Sequence, residues 1–284
     1  KNDVYLIILP SVKKMSSPYV GLAECYVPSV VGGGTSEASV RNDDTSAATD
    51  RSMRPIHMEI GGRSNRVLSG VSGSSLLEMG HTRILCAVHG PRPSGGAADG
   101  GDPLRCEVRF APFCKRPPAR HRPAPVRGAP ADEADEEELR LSDAVRGAVL
   151  PSLVGTTGAG RVFVAVTVLQ CDDADPAPGC AIAASLALAD AGVVELRGMV
   201  PACAVAVHEG KDGAAAMRFV VDPCATECTG ARSLVVVAAL PARRSVTYVE
   251  QRGQAVPLAV LREAVQTCEE GNAAVHSLMR KCVL

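Results

Sequence analysis

The 284-residue chain contains no tryptophan, and its four Phe and four Tyr make aromatics only 3% of the sequence. A base-stacking platform of the RNA-recognition type needs several exposed rings, so that mode of nucleic-acid binding is not expected. Charge of one sign is also missing. Thirty Lys+Arg against 31 Asp+Glu leave a net charge of −1, which excludes a broadly basic polyanion binder and leaves room only for a local patch. The N-terminal run VYLIIL is far too short to span a bilayer, and it lacks the apolar region and cleavage site of a secretory signal. No membrane partner is expected. The eleven cysteines are odd in number and scattered, and the tightest pair, Cys224 and Cys228, has no second pair or nearby His at zinc-finger spacing. Free thiols in a reducing compartment, cytosol or nucleus, are expected, with no metal and no cofactor. No His pair of the HExxH kind and no Gly-x-Ser-x-Gly elbow is present, so the sequence nominates neither a zinc hydrolase nor a serine nucleophile.

Alanine, valine, leucine and glycine dominate instead, in a chain long enough to bury a real core. Residues 1–53 read as an N-terminal extension, partly a disordered or docking arm, because Gly32 to Arg51 turns to Gly, Ser, Thr, Asp and Ala without apolar period. From Arg54 the chain is patterned. Strands are expected at Gly73–Met79 and Arg83–Val88 with a Gly80-His81 turn, then in RCEVRFAPF with Cys106, Val108 and Phe110 alternating. Six acids between Asp132 and Glu138 lead into a helix with Leu139, Val145, Val149 and Leu153 placed on one face. RVFVAVTVLQ reads as a strand, GCAIAASLALADAG as a buried helix stopped by Gly192, and four further β runs precede a closing amphipathic helix begun near Pro257. The sum is a mixed α+β domain over residues 54–284.

Three features carry candidate chemistry. GTTGAGR (Gly155 to Arg161) has the glycines of a phosphate loop but the reverse order, helix before and strand after, so it reads as a connection. Asp172, Asp173 and Asp175 are carboxylates that could hold Mg²⁺, or ordinary turn and helix-capping residues in Asp-Pro-Ala-Pro-Gly. Between Arg105 and Arg127, seven basic residues (Arg105, Arg109, Lys115, Arg116, Arg120, Arg122, Arg127) face one acid, Glu107. Prolines keep that segment irregular, which suits either a solvated loop or a sequence-independent contact to a polyanion backbone.

The order of these pieces resembles the RNase PH family. GSSLLEMGHTRILCAVHGPRP is similar to the family's first signature, RCEVRFAPFCKRP to its next strand and Arg-rich loop, and FVAVTVLQCDDADPAPGCAIAASLALADAG to its strand, loop and Ala-rich helix. RFVVDPCATE and the final helix fit the remainder, so the resemblance covers roughly residues 54–284. It implies the RNase PH fold (ribosomal protein S5 domain 2-like): mixed β-sheets with packed helices in two βαβα-like halves. It also implies assembly into a six-membered ring around an RNA channel. SGGAADGGDP after GPRP and the Ala/Val-rich helices are most like the inactive exosome ring subunit of the messenger-RNA-transport (Mtr) type. Val/Ala-rich strands, a liability in an isolated chain, would then be covered by neighbours.

For active members the resemblance implies an Arg just before the Ala-rich helix, where it and the helix N-terminus hold the attacking phosphate. Counting back from Leu188-Ala189-Asp190-Ala191, that stretch falls on Pro176, Ala177, Pro178 and Gly179, with Ala177 at the Arg position, so Ala177, Pro178 and Gly179 mark a degenerate phosphate site. Asp222 matches the family's turn Asp, but a second acidic residue would fall within Arg232 to Leu234, and none there is acidic. The expectation is a non-catalytic subunit supporting RNA processing in nucleus, nucleolus and cytoplasm. Its implied partners are other ring subunits, RNA-binding cap subunits, single-stranded RNA and an associated hydrolytic nuclease. Arg109, Lys115, Arg116, Arg120 and Arg122 are the expected RNA contacts. An active phosphate-dependent 3′–5′ exoribonuclease with a rearranged site, and a free-standing RNA-binding module, are the alternatives.

Overall fold

The computed structural model describes residues 53–61, 68, 70–92, 103–114, 132–154, 160–209 and 217–284. Among these, eleven strands and three α-helices form a mixed α+β fold. In chain order the elements are β1 (Ile56–Ile60), β2 (Gly73–Met79), β3 (Thr82–Arg92), β4 (Leu104–Phe110), α1 (Asp132–Val149), β5 (Leu153–Val154) and β6 (Arg161–Gln170). There follow α2 (Ala177–Ala191), β7 (Glu195–Leu196), β8 (Ala202–Glu209), β9 (Met217–Val221), β10 (Ser233–Leu240), β11 (Ser245–Gly253) and α3 (Leu258–Val283). The larger sheet has order β1-β2-β3-β6-β4, the second β11-β10-β8-β9, and β5 pairs β7.

The β2–β3 hairpin closes at the expected place, Met79 opposite Thr82, with Gly80 at φ +57° in the turn. Strand β4 lies on the far side of β6 and runs parallel to it, the remaining pairs of both large sheets being antiparallel. Helix α1 covers that edge. Its Ser142 hydroxyl accepts the Val108 N–H at 2.9 Å, and its Glu138 carboxylate accepts the Phe110 N–H at 3.0 Å.

Helix α2 sits between the two large sheets, in contact with β2, β3 and β6 on one side and β8 and β10 on the other. A helix buried all round needs short side chains where backbones come close, which is why the sequence is Ala-rich on every face. Every residue from Ala177 to Ala189 is buried. It ends as expected at Gly192, φ +59°, whose N–H bonds the Leu188 carbonyl at 3.3 Å.

Two expectations are corrected here. Leu139 does not share the core face of α1: it is 64% exposed, and the face that packs is Leu141, Ala144, Val145, Ala148 and Val149. The arithmetic explains it, because these five repeat at three- and four-residue intervals while Leu139 is two residues from Leu141, about 160° round the helix. Leu153 lies beyond the helix, in β5. Nor do the Val/Ala-rich strands need a neighbouring chain. In β8, Cys203, Val205 and Val207 pack with Ala264 and Cys268 of α3, while Ala204 and Ala206 pack with Leu234, Val236, Cys228 and Ala231 on the other face. A strand buried on both faces within one chain reads as a continuous apolar run.

Among the described glycines, Gly73 makes the closest approach to backbone. A β-carbon there would lie 2.4–2.6 Å from backbone atoms of α2, Ala191 N, Ala187 O and Ala191 Cα. Backbone cannot be displaced as a side-chain tip can. Gly73→Ala should therefore sit at the upper end of overpacking costs, about 3 kcal/mol, read as a fall in the denaturant midpoint; an unchanged midpoint would mean β2 and α2 are not in this contact.

Candidate functional site

The chemistry-bearing segments meet at the N-terminal end of α2. The turn 171–175 after β6 and the segment 222–231 after β9 lie against each other: Ala225 N–H bonds the Asp172 carbonyl at 2.8 Å, and Ala174 N–H the Pro223 carbonyl at 3.3 Å. Asp222 occupies the left-handed region at φ +51° and, like Asp173, is buried. Both carboxylates converge on one guanidinium, that of Arg54, at the start of the patterned chain. Its Nη2 lies 2.6 Å from Asp173 Oδ1 and 2.5 Å from Asp222 Oδ1, and its Nε donates to Asp222 Oδ2 at 2.9 Å.

Two buried carboxylates sharing one cation retain a net negative charge, which a low-dielectric setting disfavours. Burial accordingly pushes Asp173 up to about 7, against the pull of Arg54 and with the charge of Asp222 adding to the shift. Asp173 Oδ2 and Arg54 Nη1 are both buried and find no hydrogen-bond partner among the described residues.

Asp175 belongs to a second network. Its side chain is fully buried, and Oδ1 accepts the N–H of Ala177, the first residue of α2, at 2.9 Å. Arg140 of α1 reaches both of its oxygens from Nη2 at 3.1 Å, and Arg252 of β11 reaches Oδ2 at 2.7 Å. Arg140 also bonds Glu137 at 2.7 Å and Glu250 at 2.7 and 3.0 Å, and the Tyr248 hydroxyl donates to Glu250 at 2.9 Å. Burial opposes the charge on Arg140, but these carboxylates outweigh it and raise its pKa. Burial, then the Glu250 charge, raises that of Tyr248.

The first N–H of α2 is thus taken from within the chain. Asp175 takes the Ala177 N–H, Pro178 has none to offer, and Cys180 N–H bonds the Pro176 carbonyl at 2.9 Å. Ala177, Pro178 and Gly179 are all buried, and a β-carbon at Gly179 would come within 2.7 Å of Ile84 Cδ1. Of the alternatives for the aspartates, helix capping fits Asp175, and ion pairing to arginine accounts for both it and Asp173. Asp172 is 44% exposed and lies 3.4 Å from His81. Among the described residues no group of three or more His, Cys, Asp or Glu side chains could hold a metal ion.

At the stretch where a second acid would fall, Arg232 bonds Glu209 and the Ala255 carbonyl, and Ser233 starts β10 with its hydroxyl on the Arg252 carbonyl at 3.0 Å. Arg109 stands on the edge strand β4, its side chain 71% exposed and bonded to Glu107. Arg105 lies over the Phe163 ring, 6.0 Å from its centroid. Lys115, Arg116, Arg120, Arg122 and Arg127 lie outside the described residues, as do Gly155–Ala159 of the glycine-rich stretch. The ten described cysteines are free, and burial raises the thiols of Cys86, Cys171 and Cys180, so none of these three is a ready nucleophile.

Sequence reasoning missed Arg54, Arg140, Arg252 and Glu250. The one local signal was Arg140, a charge one residue before the buried face of α1, three residues after Glu137.

Comparison with known proteins shows the family. The RNase PH model, "3′ exoribonuclease family, domain 1", matches residues 37–194. The exosome complex component Rrp41 of Thermococcus gammatolerans is 32% identical over 235 residues, 81% of this chain and 84% of that protein. The human exosome complex component MTR3 is 30% identical over 247 residues, 82% of this chain and 83% of that protein. The crystal structure of rice Rrp46 superposes with a TM-score of 0.62 at 18% identity, covering 87% of this chain and all of that one, a likeness of fold. The chain belongs to the RNase PH 3′ exoribonuclease family.

Removing the Asp175 carboxylate leaves two guanidinia and a helix N–H short of a partner. Asp175→Ala should cost about 3 kcal/mol, measured by denaturant unfolding, and Asp175→Asn less, because the amide oxygen still caps Ala177. Equal stability of all three proteins would deny the carboxylate a structural role.

Proposed function

We propose that the chain is a catalytically inert RNase PH-like subunit of an exosome ring, most like the Mtr-type subunit, with residues 54–284 as its RNase PH-like domain and 1–53 as an extension. The observation that carries this reading is the occupied end of α2. Where the resemblance places a phosphate-binding arginine there is the buried methyl of Ala177, and the helix N-terminus is taken by the chain's own Asp175. Phosphate would have to displace a buried carboxylate already held by two arginines. The absence of a carboxylate between Arg232 and Leu234 supports the same conclusion, since a leaving oxygen there has no general acid.

On this reading the subunit helps build the hexameric RNA channel and supports 3′–5′ RNA processing and degradation carried out by an associated hydrolytic nuclease. Its partners are the other ring subunits, RNA-binding cap subunits and single-stranded RNA, and its compartments the nucleus, nucleolus and cytoplasm. Arg109 and the segment with Lys115, Arg116, Arg120 and Arg122 contribute to the RNA path. The test is the subunit inventory and native mass of the tagged protein from its own cells, with a phosphorolysis assay on the pure chain. The expected result is a complex of different proteins with one copy of this chain, and no phosphate-dependent release of nucleoside diphosphates from RNA. A homo-hexamer that releases them would make the chain an active phosphorolytic exoribonuclease instead.

For the basic segment, Arg116→Ala, Arg120→Ala and Arg122→Ala combined should weaken RNA binding by the assembled ring irrespective of sequence and flatten its salt dependence. Filter binding at several salt concentrations reads this, and an unchanged slope would remove the segment from the RNA path.

A further inference from the structure

The RNA-channel reading gives the Arg54 cluster no role, although it joins three separated parts of the chain. Asp222 is held by three bonds from one residue: the Arg54 Nε and backbone N–H donate to Oδ2 at 2.9 and 3.2 Å, and Nη2 to Oδ1 at 2.5 Å. Asp173 has a single contact with the same guanidinium, Nη2 to Oδ1 at 2.6 Å, and its Oδ2 is buried without a hydrogen-bond partner among the described residues. The two carboxylates are thus unequal. When the cluster sheds one negative charge, the proton goes to Asp173 Oδ2, the oxygen that nothing else satisfies.

Among the described residues, the ion pairs of Asp173 reach one cation, Arg54. From the segment after β9 comes Asp222, a second negative charge. Thr82 of β3 sets its hydroxyl beside the Asp173 carboxylate while accepting the Asp172 N–H at 2.9 Å. Cys171 stands on the same turn and Cys180 on α2, and burial pushes both thiols up, so they stay neutral near pH 7. Across a backbone bridge from Asp173 lies Cys224, whose thiol is bonded to Thr226 at 2.9 Å. His81, in the β2–β3 turn, meets Asp172 instead, at 3.4 Å.

We propose that the Arg54–Asp173–Asp222 cluster is a proton-dependent latch between the turn 171–175 and the segment 222–231. With a proton on Asp173 Oδ2 the cluster is one carboxylate on one guanidinium. Without it, two buried carboxylates repel each other across Arg54 and the segment opens more readily. What opens is the cover of an apolar face of the second sheet, since Cys228 and Ala231 pack there on Ala204, Ala206, Leu234 and Val236. Linkage fixes the direction. A carboxyl at about 7 in the folded chain and about 4 in the unfolded one takes up a proton on folding, so its contribution is complete below about pH 4 and is lost as pH rises through about 7. The latch stands on these contacts and is independent of the ring reading.

The test is hydrogen exchange of the full chain at the Ala225 and Ala174 amides, which bridge the two segments. Exchange is compared at about pH 5.5 and about pH 8 after correction for the intrinsic pH dependence, and carbon-13 NMR of the Asp173 carboxyl reads the proton directly. Expected are a carboxyl that titrates near neutral pH and an opening constant at both amides at least about tenfold larger at the higher pH. Asp173→Asn, uncharged throughout, should abolish that difference. Asp222→Asn removes the repelling charge and should lower the Asp173 titration by about a pH unit or more. His81→Gln removes the other titratable contact of the same turn and should leave the difference in place. An Asp173 carboxyl titrating near its ordinary value, equal opening at the two pH values, a difference that survives in Asp173→Asn, or one that vanishes in His81→Gln would overturn the latch. The titration and exchange of the unaltered chain decide even where a variant does not fold.

Discussion

Everything in this molecule is arranged around a helix that has no solvent face. α2 is buried from Ala177 to Ala189, with a sheet on either side, and that placement constrains the rest. Close approach of two backbones admits only Gly73 on the facing strand. Burial of the helix start means that its first N–H groups cannot fall back on water, so their partners must come from the chain. Asp175 is that partner, and its own charge then calls for Arg140 and Arg252 from two other elements. Packing requirement, capping and ion pairing follow from one another in that order.

The same sequence of causes ties α2 to its neighbours in a fold shared with 3′ exoribonucleases. A buried helix start without a partner would be an electropositive end in a low-dielectric setting. Here a proline at position 178 removes a donor and a carboxylate neutralises what remains. Asp175, Arg140 and Arg252 form a joint between α1, α2 and β11. Asp222 is held in a comparable way, its carboxylate paired with Arg54.

What was legible in the sequence was whatever is encoded locally. The Gly80 turn, the Gly192 stop and the uninterrupted apolar runs of β8 and β10 each carry their signal within a few residues, and their places in the chain were read correctly. Leu139 was misplaced because acids and leucines along α1 permit two facings, and only the three- and four-residue spacing from Leu141 decides between them. The ion networks were invisible for a different reason. Arg54 and Asp222 are 168 residues apart, and Arg140 and Glu250 are 110 apart. Neither pair leaves any periodic trace. The aspartates themselves could be singled out, but not the arginines that settle what they do.

The family model and the packing of the core end at different places. The family match ends at residue 194, just past α2, which looks like a natural boundary. Yet at that point α2 has only one of its two sheets, and Asp173 and Arg54 have not met Asp222. A nascent chain of that length carries an apolar helix side open to water and a half-built charge cluster, both completed only by strands that emerge after residue 201. The stretch the family model matches is therefore not by itself a complete core. Until the C-terminal half is made, that side of α2 has no cover from β8 and β10.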